Sequence, residues 1–145
     1  MPYIEDFLSY DEEQEIIEAI RSAEGETSGE IRVHIERQCN VDVYERALEV
    51  FHYLKMDNTI QKNGVLLYVA VDNKAFVIFG DQGINNVVDA NFWNSTRDKI
   101  ASQFKKGHFK TGIIDGIIES GKVLSKHFPW HHGDQNELDN TISKG

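Results

Sequence analysis

The stretch from Val65 to Phe79 constrains this chain more than any other. Val65-Leu66-Leu67-Tyr68-Val69-Ala70-Val71 is an unbroken apolar run, far too short to cross a bilayer and rich in strand-forming side chains. An apolar run without alternation predicts a strand buried on both faces. Asp72-Asn73 follow, and both side chains tolerate positive φ, so they predict a two-residue hairpin turn. Ala75-Phe76-Val77-Ile78-Phe79 is then the returning, antiparallel strand. A strand buried on both faces needs cover on both faces, and the rest of the chain must supply it.

The flanking segments read as helices and one further strand. Ser9 and Glu12 have the spacing of a capping box ahead of Ile16, Ile17, Ile20 and Ala23, which predicts an amphipathic helix over 10–23. After a loop over 24–29, Ile31, Val33 and Ile35 alternate with Arg32, His34 and Glu36, the pattern of a half-buried strand. Asp42 and Glu45 repeat the cap spacing before Tyr44, Ala47, Leu48, Phe51 and Leu54, a second helix ending near Met56. Residues 80–89 read as a loop with at most one short helical turn. Phe92, Trp93, Ile100 and Phe104 mark a helix ending at Gly107, and Ile113, Ile117 and Leu124 mark a last one that stops before Pro129. Gly112, Gly116 and Gly121 cost that helix propensity, and their small surface predicts close packing against a neighbour.

This order predicts one domain over 1–129, followed by a polar tail over 130–145. The fold class is α/β: a three-layer α/β/α sandwich around a small mixed sheet of about four strands. The two strands separated by a helix should be parallel, and the hairpin makes the third antiparallel.

Composition narrows the function. The net charge of -9 is spread along the chain, which argues against a nucleic-acid surface, since that requires clustered Lys and Arg. Cys39 is the single cysteine, so no internal disulfide is available. The acidic start has no signal-peptide character and no run is long enough to span a membrane, so the cytoplasm is the expected compartment; a monomer is expected as well.

The topology brings scattered residues to one sheet end. Parallel strands place Glu30 and Asn63 together, and the returning strand brings Gly80 and Asp81 back beside them, with Asp89 closing the loop and Glu26 and Thr27 in the loop before Glu30. Converging carboxylates repel unless a cation neutralises them, and oxygen ligands suit a hard divalent ion. Gly80 and Gly83 would let the loop bend toward an ion. The plainer reading makes Asp89 the N-cap of the next helix and leaves Glu26 and Glu30 solvated. His131-His132 beside Asp134 could bind a transition metal but read more simply as solvated tail residues. His34, His52 and His108 read as surface or packing residues. No Gly-x-Ser-x-Gly elbow, P-loop or dinucleotide fingerprint is present, and Cys39 has no flanking His or basic cluster to activate it.

Several stretches carry a family likeness in order: Thr27-Ser28-Gly29-Glu30-Ile31-Arg32, Asn63-Gly64-Val65-Leu66-Leu67-Tyr68-Val69, Gly80-Asp81-Gln82-Gly83-Ile84-Asn85, Phe92-Trp93, Phe104-Lys105-Lys106-Gly107, Gly112-Ile113 and His127-Phe128-Pro129. The chain resembles the TPM domain family over roughly residues 10–129. The resemblance implies an α/β/α sandwich and divalent cation sites, in some members, at loops on one end of the sheet. It favours Asp81 and Asp89 as metal ligands, then Glu30, then Glu26, with calcium the first candidate ion and magnesium another. Some plant members are described as acid phosphatases, while many bacterial members have no established activity. The expectation is a cation-binding or scaffold module whose partners are a metal ion and an unidentified protein. A metal-dependent phosphatase ranks second, because Lys62 is the one cation evident at the proposed end. A metal-free interaction domain ranks third.

Overall fold

The computed structural model describes residues 7–89, 91–129 and 142–144. Five α-helices and four strands occur among them: α1 (Tyr10–Glu24), β1 (Glu30–Glu36), α2 (Val43–Tyr53), β2 (Gly64–Ala70), β3 (Ala75–Gly80), α3 (Gln82–Asn85), α4 (Phe92–Lys105), α5 (Phe109–His127) and β4 (Ser143–Lys144). The caps read from sequence form as chemistry demands. Ser9 Oγ accepts from the Glu12 amide while Glu12 accepts from the Ser9 amide, and the Asp42 carboxylate accepts from the amides of Tyr44 and Glu45.

The sheet order is β3-β2-β1-β4, with β1 parallel to β2, β2 antiparallel to β3, and β4 parallel to β1. Both faces are covered. One face packs Ile31, Val33, Ile35, Val65, Leu67 and Val69 against Ile16 and Ile20 of α1, Ile100 of α4 and Ile113 and Ile117 of α5. The other packs Leu66, Tyr68 and Ala70 under Ala47, Val50 and Phe51 of α2. The α5 glycines are contact points: a Cβ on Gly112 or Gly116 would lie within 3 Å of Phe104 or Ile100, and one on Gly121 at 2.9 Å from Ala23.

Three local expectations change. The hairpin turn spans residues 71–74 rather than Asp72-Asn73 alone, and the left-handed residue is Lys74 (φ 53°). Asn73 is occupied elsewhere, because its amide side chain bonds both the N–H and the C=O of Cys39 at 2.9 Å. β1 is buried along both faces rather than one, with His34 (3% exposed) and Glu36 (6%) buried on either side of Ile35. The tail segment contributes Ser143 and Lys144 as a fourth strand. His131, His132 and Asp134 lie outside the described residues.

Candidate functional site

The parallel register sets Glu30 opposite Gly64, and the hairpin sets Gly80 opposite Val65. The Glu30 amide donates to the Asn63 carbonyl (3.3 Å), and the Asp81 amide donates to the Gly64 carbonyl (2.9 Å). The sheet therefore brings Glu30, Asn63 and Asp81 to one end. Glu30 and Asn63 are each only 1% exposed. Asp81 is half-buried and caps α3, its Oδ1 accepting from the Gln82 amide at 2.7 Å.

Two oxygens at this end lack what their chemistry requires. Asn63 Oδ1 and Asp81 Oδ2 are buried, and neither has a hydrogen-bond partner among the described residues. Asn63 directly precedes Gly64, and the Asp81 amide bonds the Gly64 carbonyl. A buried acceptor left unpaired costs about 1–3 kcal/mol, so a proton donor or a cation at this point would be stabilising. Thr27 is committed to structure: its hydroxyl faces the carbonyls of Leu124 (3.1 Å) and Phe128 and accepts from the Gly29 amide (3.0 Å), tying the β1 entry loop to the end of α5.

The glycines of this loop serve close approach, not bending. Neither Gly80 nor Gly83 has positive φ. A Cβ on Gly80 would stand 2.9 Å from the Trp93 ring, and one on Gly83 only 2.1 Å from the Gln61 carbonyl oxygen. The Gly83 amide donates to the Lys62 carbonyl at 2.8 Å, so α3 rests directly on the backbone entering β2.

The other two acidic candidates sit apart in exposed clefts. Glu26 lines a cleft between α1 and α5. Asp89 lines a cleft of about 550 Å³ against α5, and it is not a helix cap: Asn91 holds the N-cap position of α4. Among the described residues no three His, Cys, Asp or Glu side chains form a group able to hold a metal. The Asp89 cleft also carries Lys122, Lys126 and His127, three groups of the α5 polar face that the sequence alone gave no reason to place beside Asp89. Lys62, the cation expected at this end, is spent on the Asp57 carbonyl at 2.5 Å.

The model of the TPM domain matches residues 4–123, which include both loops and all of β1 to β3. The chain belongs to the TPM domain family. Among solved structures, this TPM domain is similar to the BA42 protein of the psychrophilic bacterium Bizionia argentinensis, at 58% identity and a TM-score of 0.91 over the full length of both chains. It also shares its fold with the N-terminal domain of a protein from P. gingivalis (20% identity, TM-score 0.68, 87% of this chain and 83% of that one). A third likeness of fold is the N-terminal domain of cg2496 from Corynebacterium glutamicum (13% identity, TM-score 0.60, 92% and 87% coverage). No curated protein matches. No helix among the described residues is long and apolar enough to cross a membrane.

The opposite end of the TPM domain's sheet holds a second polar cluster. Glu36 accepts from Arg46 of α2 through Nε (2.9 Å) and Nη2, from the Tyr68 hydroxyl (2.5 Å) and from His34 Nε2 (3.1 Å). Burial alone would raise the Glu36 pKa, but these donors outweigh it and hold the carboxyl at about 2. An ionised carboxylate only accepts, so the proton of neutral His34 sits on Nε2 and Nδ1 accepts from the Ser143 hydroxyl at 2.9 Å. Burial lowers the His34 pKa, and Arg46 and Arg32 lower it further against the opposing pull of Glu36. The alternation of β1 marks His34 and Glu36 as polar, but their partners come from α2, β2 and β4.

Proposed function

We propose that this TPM domain is a divalent-cation-binding module whose ion sits at the Asn63–Asp81 end of the sheet. The two buried acceptor oxygens, Asn63 Oδ1 and Asp81 Oδ2, carry the reading: both are hard oxygen donors and both lack a proton donor among the described residues. Glu30 lies at the same strand end, a third oxygen-bearing side chain there. Asp89 and Glu26, both exposed, act as outer carboxylates that raise the local cation concentration. With few protein oxygens available, water and backbone carbonyls complete the coordination, so binding falls among weak calcium sites, with Kd of about 10⁻⁴–10⁻³ M. Calcium is the first candidate and magnesium the second.

The test is thermal unfolding in chelator and in millimolar calcium or magnesium, with amide NMR to locate the change. With Kd in that range, millimolar ion adds about 0.4–1.4 kcal/mol, and about 2.7 kcal/mol would need 100 times Kd, roughly 10–100 mM. Asp81→Asn keeps the helix cap and removes the charge. Wild type should outlast this variant in calcium and lose that lead in chelator. An unchanged melting temperature and unmoved resonances around Asn63 and Asp81 would mean that ordered water satisfies these oxygens, leaving a metal-free interaction domain.

The Asp89 cleft supports a second reading, a metal-dependent phosphatase. Lys122, which also lies 3.8 Å from Glu119, and Lys126 supply positive charge that phosphoryl oxygens require. Metal-dependent hydrolysis of a phosphomonoester, lost in Asp81→Asn and weakened in Lys122→Ala/Lys126→Ala, would put this reading first.

A further inference from the structure

A further cleft opens at the hairpin end of the sheet, away from Asp81. It has a volume of about 450 Å³, within the roughly 300–1,000 Å³ range of small-molecule sites. Its walls gather four of the chain's eight phenylalanines: Phe7, Phe76, Phe104 and Phe109. They form a continuous aromatic ladder, with ring centroids 4.5 Å apart for Phe7–Phe109, 5.4 Å for Phe104–Phe109 and 5.3 Å for Phe76–Phe104. Gly112 makes one wall possible, since a Cβ there would sit 2.7 Å from the Phe104 ring. All four rings pack on the core yet remain partly exposed. An apolar surface gathered in one concave place marks a binding site more often than scattered exposure does.

The charge around this cleft runs against that of the chain. The protein carries a net charge of -9, but the charged residues lining the cleft are Lys74 and Lys105. Both are exposed, and neither forms an ion pair among the described residues, although Lys99, Lys110, Lys122 and Lys144 do. The hairpin also holds Lys74 in the left-handed region, at φ 53°, where Gly or Asn is the easier residue. An apolar aromatic trough whose lining holds two lysines without an ion pair among the described residues is complementary to one class of ligand. The body must be apolar, and the head must be a single anion.

We propose that the cleft between the β2–β3 hairpin and the α4–α5 turn binds a small apolar monocarboxylate, its hydrocarbon body along the four phenylalanines and its carboxylate between Lys74 and Lys105. The probe is decanoate at monomeric concentration, titrated into the full chain by calorimetry and amide NMR, with decanol as the uncharged control. The expected result is saturable one-to-one binding, shifts centred on Val69, Ala70 and Lys105, and affinity at least tenfold weaker for decanol. Lys74→Glu/Lys105→Glu changes exposed residues and should weaken decanoate binding at least tenfold. Ala101→Trp, at an exposed position on the lining, should fill the mouth and abolish binding. Four outcomes would overturn the proposal: no saturation, equal affinity for decanol, no effect of either variant, or binding that occurs only after residues 1–6 are deleted. The last would mean that the chain's own N-terminal segment is the occupant.

Discussion

Replacing Glu36 by Gln should destabilise the domain more than any other change of a single atom type in the sheet. The carboxylate collects Arg46, Tyr68 and His34 at a position only 6% exposed. An amide keeps one acceptor oxygen and turns two N–H donors toward groups that are themselves donors. The size of the loss follows from the titration. Moving the carboxyl from 4.5 to about 2 on folding corresponds to roughly 3 kcal/mol, at about 1.4 kcal/mol for each tenfold change in proton affinity. That agrees with the about 3–5 kcal/mol lost when one partner of a buried ion pair is removed. The pH dependence has a definite sign, because the folded pKa is depressed. The stabilisation is fully present above 4.5 and disappears as pH falls through about 2. Urea unfolding of Glu36→Gln, followed by circular dichroism, should show a loss of about 3 kcal/mol at pH 7, roughly 10 °C in Tm. The gap to wild type should shrink between pH 4.5 and 2.5. A loss under about 1 kcal/mol at pH 7, or parallel pH profiles, would refute the reasoning.

Gly83→Ala should abolish stable folding or cost more than about 3 kcal/mol, because its Cβ would meet the Gln61 carbonyl oxygen at 2.1 Å and backbone cannot step aside cheaply; a mild loss would show that α3 can lift off the Lys62 backbone. Gly107→Ala isolates the other use of glycine: its φ is 79° and no atom lies within 4 Å of the added methyl, so denaturant unfolding should show a loss of only about 1–2 kcal/mol. His34 should titrate below 6.5 by NMR, and since the unfolded chain then binds the extra proton first, stability should fall as pH drops from 6.5. His34→Gln should remove that part of the pH slope, and a His34 titrating above 6.5 would reverse the sign.

What could be read from the sequence was whatever depends on near neighbours. Ile16 and Ile20 announce a helix face, and Ile31, Val33 and Ile35 a strand face, because each pattern repeats within one element. The mixed sheet followed from the order of elements alone. Long-range pairing could not be read in this way. Glu36 looks like a solvated strand residue until Arg46 of α2 is folded over it, and Ser143 has no local pattern that marks a strand. The turn at 71–74 departs from the two-residue turn that Asp72-Asn73 predict: the Asn73 side chain bonds Cys39, and Lys74 takes the left-handed φ. Glu30, Asn63 and Asp81 could be placed at one end from topology, since parallel and antiparallel registers fix ends without fixing side chains. Lys122, Lys126 and His127 could not, because their place beside Asp89 depends on how Val87, Val88 and Asp89 lie against α5.

The two ends of the sheet are completed by opposite means, and the difference bears on function. At Glu36 a buried charge meets Arg46, Tyr68 and His34, so burial is offset within the protein itself. At Asp81 and Asn63 the cap, the strand register and the tight approach of Gly83 are all made, yet two acceptor oxygens stay unpaired among the described residues. At about 1–3 kcal/mol each, they are a large fraction of the roughly 5–15 kcal/mol that holds a domain together. Asparagine at position 81 would retain the cap and add a donor, so nothing in the local geometry calls for a carboxylate there. The proposed cation would give the carboxylate a purpose: the same oxygens would become ligands, and binding would add stability of the same order. The ion-linked stability should therefore be concentrated at Asn63 and Asp81, and the Glu36 cluster should be indifferent to calcium.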